Sequence, residues 1–264
     1  MIQHPNIDPV AVSFGPLKVH WYGLMYLLGF AAGYWLGLVR ARRADSGWRA
    51  EEVSDLLFYT VVGIILGGRL GYAIFYNLPY YFTRPHELLY IWSGGMSFHG
   101  GLIGVLLAMW LYARKTDRRF LAVTDFIAPL VPLGLGAGRI GNFINQELWG
   151  KVTDLPWGVV FSTADERPRH PSMLYEAIFE GLVLFIVLWV YSRAPRAVGR
   201  VSGLFLVCYS AFRFVIEFVR EPDAHLGYLA FGWVTMGQIL SLPMILIGIW
   251  LLARRGGASI PPPA

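Results

Sequence analysis

The sequence has little charge and a single cysteine, and both scarcities limit what the protein can be. Asp, Glu, Lys and Arg make up 15% of the 264 residues, hydrophobic residues make up 56%, and mean hydropathy is +0.51. Ordinary soluble domains are about 45–50% apolar, so these values predict a membrane protein with several spans. Cys208 is the one cysteine, which excludes an internal disulfide and a multi-cysteine zinc site. Its apolar setting, FLVCYS, favours plain packing.

A cleavable signal and a nucleic-acid-binding face are also not evident. The first twenty residues are polar, contain Pro5, Pro9 and Pro16, and lack a basic start followed by an apolar core, so we expect the first span to be retained. The net charge is +5, but the basic residues fall in short clusters between apolar runs, a pattern that orients helices in a bilayer. We therefore expect no nucleic-acid partner, and we expect neither a metal nor a cofactor.

Seven apolar runs come close to the roughly 17–25 residues that a membrane-spanning helix needs. They lie at roughly 20–40, 55–76, 97–113, 121–140, 173–192, 202–219 and 232–252. Clusters of arginine and lysine follow the first, third, fifth and seventh runs, and the positive-inside rule makes these connections cytoplasmic. The sequence therefore predicts an all-α, polytopic integral membrane protein with seven transmembrane helices, its N-terminus outside and its C-terminus in the cytoplasm.

The connections suggest a simple domain organisation. Residues 1–255 are expected to form a single membrane-embedded domain, in which the long polar connection at about 141–172 forms a small extracytoplasmic cap. Residues 256–264 read GGASIPPPA and are expected to be a disordered cytoplasmic tail.

Polar residues are expected to meet near the outer face of the membrane. The predicted directions of the spans bring one set of charged side chains and a histidine to the same depth: Arg69, His99, Arg139, Arg213, Glu217 and Arg220. Tyr22 and His170 lie close to this level. A charge at the bilayer centre costs about 2.5–3.5 kcal/mol, so such residues indicate a functional site. Arginine is in excess, and its planar donor fork suits a phosphate, so the predicted ligand is an anionic lipid.

Each of these residues also has a structural interpretation, and the sequence leaves these alternatives open. Arg213 and Glu217 could form only a structural ion pair, and Arg69 could bind helix-end carbonyl groups. The glycines of GLGAG could serve close helix packing alone. His99 could be an interfacial histidine and His170 could simply precede a helix that Pro171 starts.

Asp125 is a further charged residue within an apolar run. It is expected to lie near the inner end of the fourth span, far from the other polar residues. Because it follows Thr124 at a predicted helix start, its expected role is to cap that helix.

Five separated motifs resemble one family, the bacterial prolipoprotein diacylglyceryl transferases. They are HWYGLMYLLGF at 20–30, GGMSFHGGLIG at 94–104, DFIAPLVPLGLGAGRIGNFINQELWG at 125–150, RHPSMLYE at 169–176 and FRFVIEFVREPD at 212–223. The resemblance follows the chain in order through all seven predicted spans. One departure is Gln146, which stands where many relatives have glycine.

The resemblance implies an activity and a location. Such enzymes move the diacylglyceryl group of phosphatidylglycerol to the lipobox cysteine of a preprolipoprotein in the bacterial plasma (inner) membrane, releasing glycerol 1-phosphate. By similarity, Arg139 and Arg213 would be catalytic and hold the phosphate; His99 is the candidate catalytic base, with substrate-assisted or water-mediated deprotonation as the alternative. The expected phosphatidylglycerol-binding residues are Tyr22, Gly100, Arg139, Asn142, Asn145, Glu147, His170, Tyr209, Glu217 and Arg220. Because the substrate supplies the thiol, the enzyme needs no catalytic cysteine.

Two other classes of function fit parts of the pattern. A non-enzymatic carrier of anionic lipids would also place arginines within the membrane. A lipid phosphatase or phosphotransferase would need a nucleophile or a cluster of metal ligands, and neither is clear in the sequence.

Overall fold

Most of the chain is helical in the computed structural model, which describes residues 2–43, 45–222 and 226–254. The helices are α1 (Trp21–Ala41), α2 (Ala50–Tyr76), α3 (Leu78–Thr83), α4 (Phe98–Lys115), α5 (Phe120–Ile127), α6 (Val131–Ile144), α7 (Ser172–Tyr191), α8 (Arg200–Ile216) and α9 (Met236–Ala253). Each of the seven predicted apolar runs is matched by one of these helices or, for the run at 121–140, by α5 and α6 together. The tail predicted at 256–264 lies outside the described residues.

Within the described residues, four helices are long and apolar enough to cross a membrane: α1, α2, α7 and α9. The count rises to five if α5 and α6, which meet at an angle of 51°, form one broken span. Pro129 and Pro132 lie at the break, where a proline removes a backbone donor and interrupts the helix. Two further helices are not in this count: α8, which has 17 residues, and α4, which ends in the charged residues Arg114 and Lys115. The seven-span count and the orientation of the termini stay predictions.

Short strands are a difference from the predicted all-α fold. Among the described residues, β1 (Ile2–Gln3) pairs in parallel with β4 (Val159–Val160), and β2 (Val10–Phe14) pairs antiparallel with β3 (Leu17–His20). The second pair is a hairpin whose turn contains Gly15 at φ +59°. The backbone N–H and C=O groups of this segment pair with each other across the hairpin.

The described residues divide into two compact units. The first contains residues 1–37 and 125–259, and the second contains residues 38–124, within the described ranges. The single-domain organisation expected from the sequence stays a prediction.

In the first unit, the predicted cap is held together by a buried arginine. The guanidinium group of Arg169 lies 4.2 Å from the centre of the Trp149 ring and donates to Asp165 at 2.9 Å and to Glu221 at 3.1 Å. Hydrogen bonds from Arg169 and then from Arg167 hold the pKa of Asp165 well below its usual range. The loop at 141–172 is thus fixed by charge-assisted hydrogen bonds.

Asp125 caps a helix, but not the one that the sequence predicted. It lies within α5 rather than at its start, and its carboxylate accepts from the backbone N–H groups of Gly199 at 2.6 Å and Ser202 at 2.8 Å. These residues are at the start of α8, whose first N–H groups have no partner within the helix. Asp125 is 74 residues from Gly199 and 77 residues from Ser202 in the chain, so sequence spacing could not reveal these contacts.

In the second unit, α2 and α4 pack through glycines. A Cβ atom added to Gly71 would lie 2.5 Å from the Cα of Gly100, and one added to Gly67 would lie 2.7 Å from the Cα of Gly104. Small residues allow helix backbones to approach this closely. The space beside Gly100 that the sequence assigned to a ligand is therefore occupied by α2 on this side.

Arg69 of α2 binds backbone carbonyl groups, which is the structural alternative that the sequence left open. Its side chain is buried, with 3% of its surface exposed. It donates to the carbonyl oxygens of the connection between α3 and α4, at 2.7–3.2 Å for Glu87, Leu88, Tyr90 and Gly95, and also to Gly94. Arginine suits this position because its five N–H donors spread over a plane.

We expect Arg69→Lys to destabilise the protein in detergent, and Arg69→Ala to do so more strongly. A lysine has three donors at one point and leaves several carbonyl groups unpaired, at a cost of about 1–3 kcal/mol for each that stays buried. Thermal unfolding of the purified protein measures the effect.

Arg84→Lys is the matched control for Arg69→Lys, because Arg84 lies in the same connection with 57% of its side chain exposed. An exposed substitution of this kind changes stability by about 0.5 kcal/mol or less. Equal unfolding temperatures for Arg69→Lys and Arg84→Lys would contradict the structural role of Arg69.

Candidate active site

Glycines in α6 set how closely the helix that carries Arg139 approaches its neighbours. A Cβ atom added to Gly29 of α1 would lie 2.9 Å from the Cα of Gly134, and one added to Gly181 of α7 would lie 2.8 Å from the Cα of Gly136. The helix-packing interpretation of GLGAG therefore holds for Gly134 and Gly136. Gly138 has open space around it, so packing does not account for it.

These contacts place Arg139 beside two glutamates of α7. The Arg139 Nε lies 3.1 Å from Oε2 of Glu176, and its Nη2 lies 3.8 Å from Oε2 of Glu180. Both glutamates are fully buried. Glu176 directly precedes a π-helical stretch, Ala177–Val183, and Glu180 lies within it. Such stretches occur frequently at functional sites.

A second arginine shares the same carboxylate. Arg213 of α8 donates from Nη1 to Oε1 of Glu176, and its Nη2 lies 2.5 Å from Oε1 of Glu217. The pair of Arg213 and Glu217, four residues apart on one helix face, was predicted and is confirmed. Glu176 thus has one oxygen facing Arg139 and the other facing Arg213.

Arg220 completes the cluster from the turn after α8. Its Nη1 lies 3.5 Å from Oε1 of Glu217, and its Nε lies 3.9 Å from Oε1 of Glu176. In this network, named here the arginine–glutamate cluster, three arginines (Arg139, Arg213, Arg220) face three glutamates (Glu176, Glu180, Glu217). The sequence predicted an excess of positive charge, whereas within this cluster the charges balance. A buried charge requires a partner, and here α7 supplies two of the three carboxylates, Glu176 and Glu180, while Glu217 follows directly after α8.

Glu176 and Glu180 were missed as site residues. Glu176 ends the RHPSMLYE motif, and Glu180 follows it four residues later in a helix whose mean hydropathy is 2.0. Placing two carboxylates in so apolar a helix costs free energy, and such residues usually have a functional role. This pattern in the sequence could have identified Glu176 and Glu180 as site residues.

Exposure distinguishes the two kinds of residue in the cluster. The Arg139 side chain is 21% exposed and that of Arg213 is 15% exposed, whereas the three glutamates are at most 2% exposed. The carboxylates therefore lie behind the guanidinium groups. Arginine donors that face away from the glutamates remain on the accessible side, where they can bind an anion.

The asparagines after Arg139 hold another carboxylate. Asn142 and Asn145 each donate a side-chain N–H to Glu147 at 3.2 Å, one to each oxygen. Tyr22 of α1 packs on the same helix, since a Cβ atom added to Gly141 would lie 2.8 Å from its ring. The structure thus brings four of the predicted site residues, Tyr22, Asn142, Asn145 and Glu147, to the C-terminal end of α6.

Gln146 explains the departure from the resembling family. Its φ is +54°, a left-handed conformation that glycine adopts without strain. Here the side chain accepts hydrogen bonds from the backbone and hydroxyl of Ser162 at 2.8 and 2.9 Å. The backbone carbonyl accepts from Thr163 at 2.7 Å. The turn thus forms with glutamine at this position, and the Gln146 side chain ties it to Ser162.

His170 and Tyr209 have partners within the first unit. The His170 Nδ1 lies 3.2 Å from the Tyr175 hydroxyl, and its backbone carbonyl accepts from Gly150 at 2.8 Å. Burial and then the charge of Lys151 lower the pKa of His170. Tyr209 lies one turn before Arg213 and packs on the core around Leu184 and Leu188, as does Cys208. Their contacts with substrate stay predictions.

His99 and Gly100 belong to the second unit, at the start of α4. Their roles as base and as a ligand contact stay predictions from the GGMSFHGGLIG motif. Within residues 2–43, 45–222 and 226–254, no group of three or more histidine, cysteine, aspartate or glutamate side chains is arranged to hold a metal ion.

Comparison with known proteins gives a consistent result along the whole chain. Residues 9–254 match the family described as prolipoprotein diacylglyceryl transferase. A relative from Nitratidesulfovibrio vulgaris is 59% identical over 264 residues, covering 100% of both chains. One from Solidesulfovibrio magneticus is 61% identical and one from Ectopseudomonas mendocina is 59% identical, covering 97% and 96% of both chains. All three are named phosphatidylglycerol–prolipoprotein diacylglyceryl transferase. With a family match over nearly its full length, this chain belongs to the prolipoprotein diacylglyceryl transferase family.

Proposed function

We propose that this protein transfers the diacylglyceryl group of phosphatidylglycerol to the thiol of the lipobox cysteine in a preprolipoprotein. The product is a thioether, and glycerol 1-phosphate is released. The observation that carries the proposal is the arginine–glutamate cluster, in which buried Glu176 holds Arg139 and Arg213 side by side. Family membership supplies the reaction, and the cluster supplies a place for its anionic donor.

The phosphate of the donor lipid would bind across the two guanidinium groups. On its buried side, Arg213 donates to Glu176 and lies 2.5 Å from Oε1 of Glu217, and the Nε of Arg139 forms an ion pair of 3.1 Å with Oε2 of Glu176. The remaining N–H groups are fixed in direction because the guanidinium groups cannot rotate without breaking these ion pairs. Preorganised donors of this kind stabilise charge as it develops in a transition state.

The chemistry requires a thiolate and a good leaving group. The sulfur attacks the glycerol carbon that carries the phosphate ester, a C–S bond forms, and the C–O bond breaks with its electron pair on the phosphate. The proton of the thiol ends on the phosphate or in water, so the reaction balances without an oxidant or reductant. Arg139 and Arg213 lower the barrier by binding the phosphate as its negative charge increases.

His99 is our candidate for the base that takes the thiol proton, because of its place in the GGMSFHGGLIG motif. A free cysteine has a pKa of about 8.5, so only a few per cent is thiolate at neutral pH. A base therefore increases the reactive fraction. Asn142, Asn145 and Glu147 would shape the headgroup pocket, with Tyr22, His170, Tyr209, Glu217 and Arg220 around it. Gly100 keeps its expected role in lipid binding from the same motif as His99.

We also propose a seven-span arrangement in the bacterial inner membrane, with the site towards the outer leaflet. Helices α4 and α8 would then span the membrane together with α1, α2, the broken pair α5 and α6, α7 and α9. Arg114 and Lys115 at the end of α4 and Arg200 at the start of α8 support a cytoplasmic position for those ends.

A product assay tests the reaction. Purified protein is mixed with phosphatidylglycerol and a peptide that contains a lipobox cysteine, and the peptide is weighed by mass spectrometry. We expect a peptide heavier by one diacylglyceryl group, together with glycerol phosphate. Lipid binding with an unchanged peptide would indicate a carrier, and release or transfer of a phosphoryl group would indicate a phosphatase or phosphotransferase.

Arg139→Ala should lower the transfer rate by about 10²–10³, which corresponds to the 2.7–4 kcal/mol typical of removing one preorganised donor. Arg139→Lys should restore little, because lysine keeps the charge but loses the two-pronged geometry. Initial rates in the product assay give both values. Rates are divided by the amount of folded protein, measured by thermal unfolding. A lysine variant near the wild-type rate would make Arg139 a structural charge.

Glu176→Gln should reduce both stability and transfer, and by more than Glu180→Gln. Glu176 contacts two arginines, at 3.1 Å for Arg139 and more closely for Arg213, whereas Glu180 is 3.8 Å from Arg139. Removing one partner of a buried ion pair costs about 3–5 kcal/mol because the other charge stays buried.

The two variants are matched in chemistry, helix and burial, so each serves as the control for the other. Thermal unfolding and the transfer rate are measured for both. A larger loss in Glu180→Gln than in Glu176→Gln would contradict the assignment of Glu176 as the shared carboxylate.

A further inference from the structure

Glu217 is fixed by a residue outside the helix that carries it. Its side chain is 2% exposed, and its two oxygens have different partners. Oε1 faces Arg213 at 2.5 Å and Arg220 at 3.5 Å, whereas Oε2 accepts a hydrogen bond of 2.5 Å from the hydroxyl of Thr235. The hydroxyl therefore orients the carboxylate so that its other oxygen faces the arginines.

Thr235 is the N-cap of α9 and is itself buried, with 3% of its surface exposed. Its hydroxyl oxygen accepts from the backbone N–H of Gln238 at 3.3 Å, and its own N–H donates to the Gln238 side chain at 3.0 Å. A hydroxyl group has a single hydrogen to donate. Since the oxygen already accepts from Gln238, that hydrogen is directed at Glu217.

The first turn of α9 also confines Glu217 by shape. A Cβ atom added to Gly237 would lie 2.7 Å from both Cδ and Oε1 of Glu217. A larger residue here would push the Glu217 carboxylate away from its present position. The positive end of the helix dipole at the start of α9 further favours a carboxylate at this place.

We propose that Thr235 is a positioning residue for the transferase site, acting through Glu217 on Arg213. The proposal rests on the proposed function, in which Arg213 binds the phosphate of the donor lipid. A helix cap needs only an acceptor for a backbone N–H, a task that several residue types perform. The hydrogen donated to Glu217 is an additional property, and among such caps a threonine or a serine supplies it from a hydroxyl group.

Loss of the hydroxyl leaves Oε2 of Glu217 without this partner. The carboxylate can then rotate away from Arg213, and the guanidinium group loses one of the two contacts that fix its direction. A misplacement of about 1 Å can reduce an enzymatic rate by about a hundred-fold. We expect a ten-fold to hundred-fold fall in kcat, with KM for phosphatidylglycerol changing much less.

Two substitutions separate the cap from the donor. Thr235→Ser keeps both, and Thr235→Gly keeps a favourable cap, at a cost of a few tenths of a kcal/mol, but removes the donor. In the product assay, we expect the serine variant to retain most of the transfer rate and the glycine variant to lose it. A glycine variant with wild-type kcat would overturn the proposal.

A double-mutant cycle with Glu217→Ala tests whether Thr235 acts through Glu217. If it does, adding Thr235→Gly to Glu217→Ala reduces kcat little further, because alanine has no acceptor for the Thr235 hydroxyl and both changes therefore remove the same contact. Full additivity of the two losses would overturn the proposal, as would a loss in Thr235→Gly no larger than its loss of folded protein.

The thermal unfolding temperatures of the wild type, the two single variants and the double variant are measured in the same samples. This second cycle does not depend on transfer, so it remains decisive if the wild type produces no modified peptide and the proposed function itself fails. Non-additive shifts support the contact between Thr235 and Glu217, and additive shifts overturn the proposal.

Discussion

The arrangement of this site depends on one buried carboxylate between two guanidinium groups. Glu176 is fully buried, and its ion pairs with Arg139 and Arg213 link side chains from α6 and α8 to α7. Moving charges out of water costs several kcal/mol per ion, and their mutual attraction roughly offsets that cost, so such a cluster is weak evidence for stability. The cluster instead fixes the orientation of the Arg139 and Arg213 guanidinium groups, which lie side by side and are partly exposed.

Close helix packing is the condition for that cluster. Gly134 and Gly136 let α6 approach α1 and α7 to backbone contact, and Gly181 does the same from α7. Larger residues at these positions would separate the helices and lengthen the ion pair between Arg139 and Glu176. Gly134, Gly136 and Arg139 therefore act together: the two glycines bring α6 close to its neighbours, and this short distance allows Arg139 to pair with Glu176.

The chemistry of the proposed reaction fits a site with these properties. The substrate brings its own thiol, so the protein supplies position and charge. Cys208 packs in the core around Leu184, away from this task. Glu147, held by Asn142 and Asn145, adds a carboxylate outside the arginine–glutamate cluster, and the polar glycerol of a lipid headgroup would need hydrogen-bond partners of this kind.

The sequence by itself determined the apolar helices, the family and the pair of Arg213 with Glu217. These depend on local spacing: on runs of apolar residues, on motifs read in order, and on the four-residue interval that brings two side chains to one helix face. The tertiary structure alone decided that Glu176 forms ion pairs with both Arg139 and Arg213, and that Arg69 binds carbonyl groups rather than joining an anion site. It also decided that Asp125 caps α8. Each of these contacts joins residues far apart in the chain, because it depends on which helix faces pack together, and hydropathy does not specify that choice.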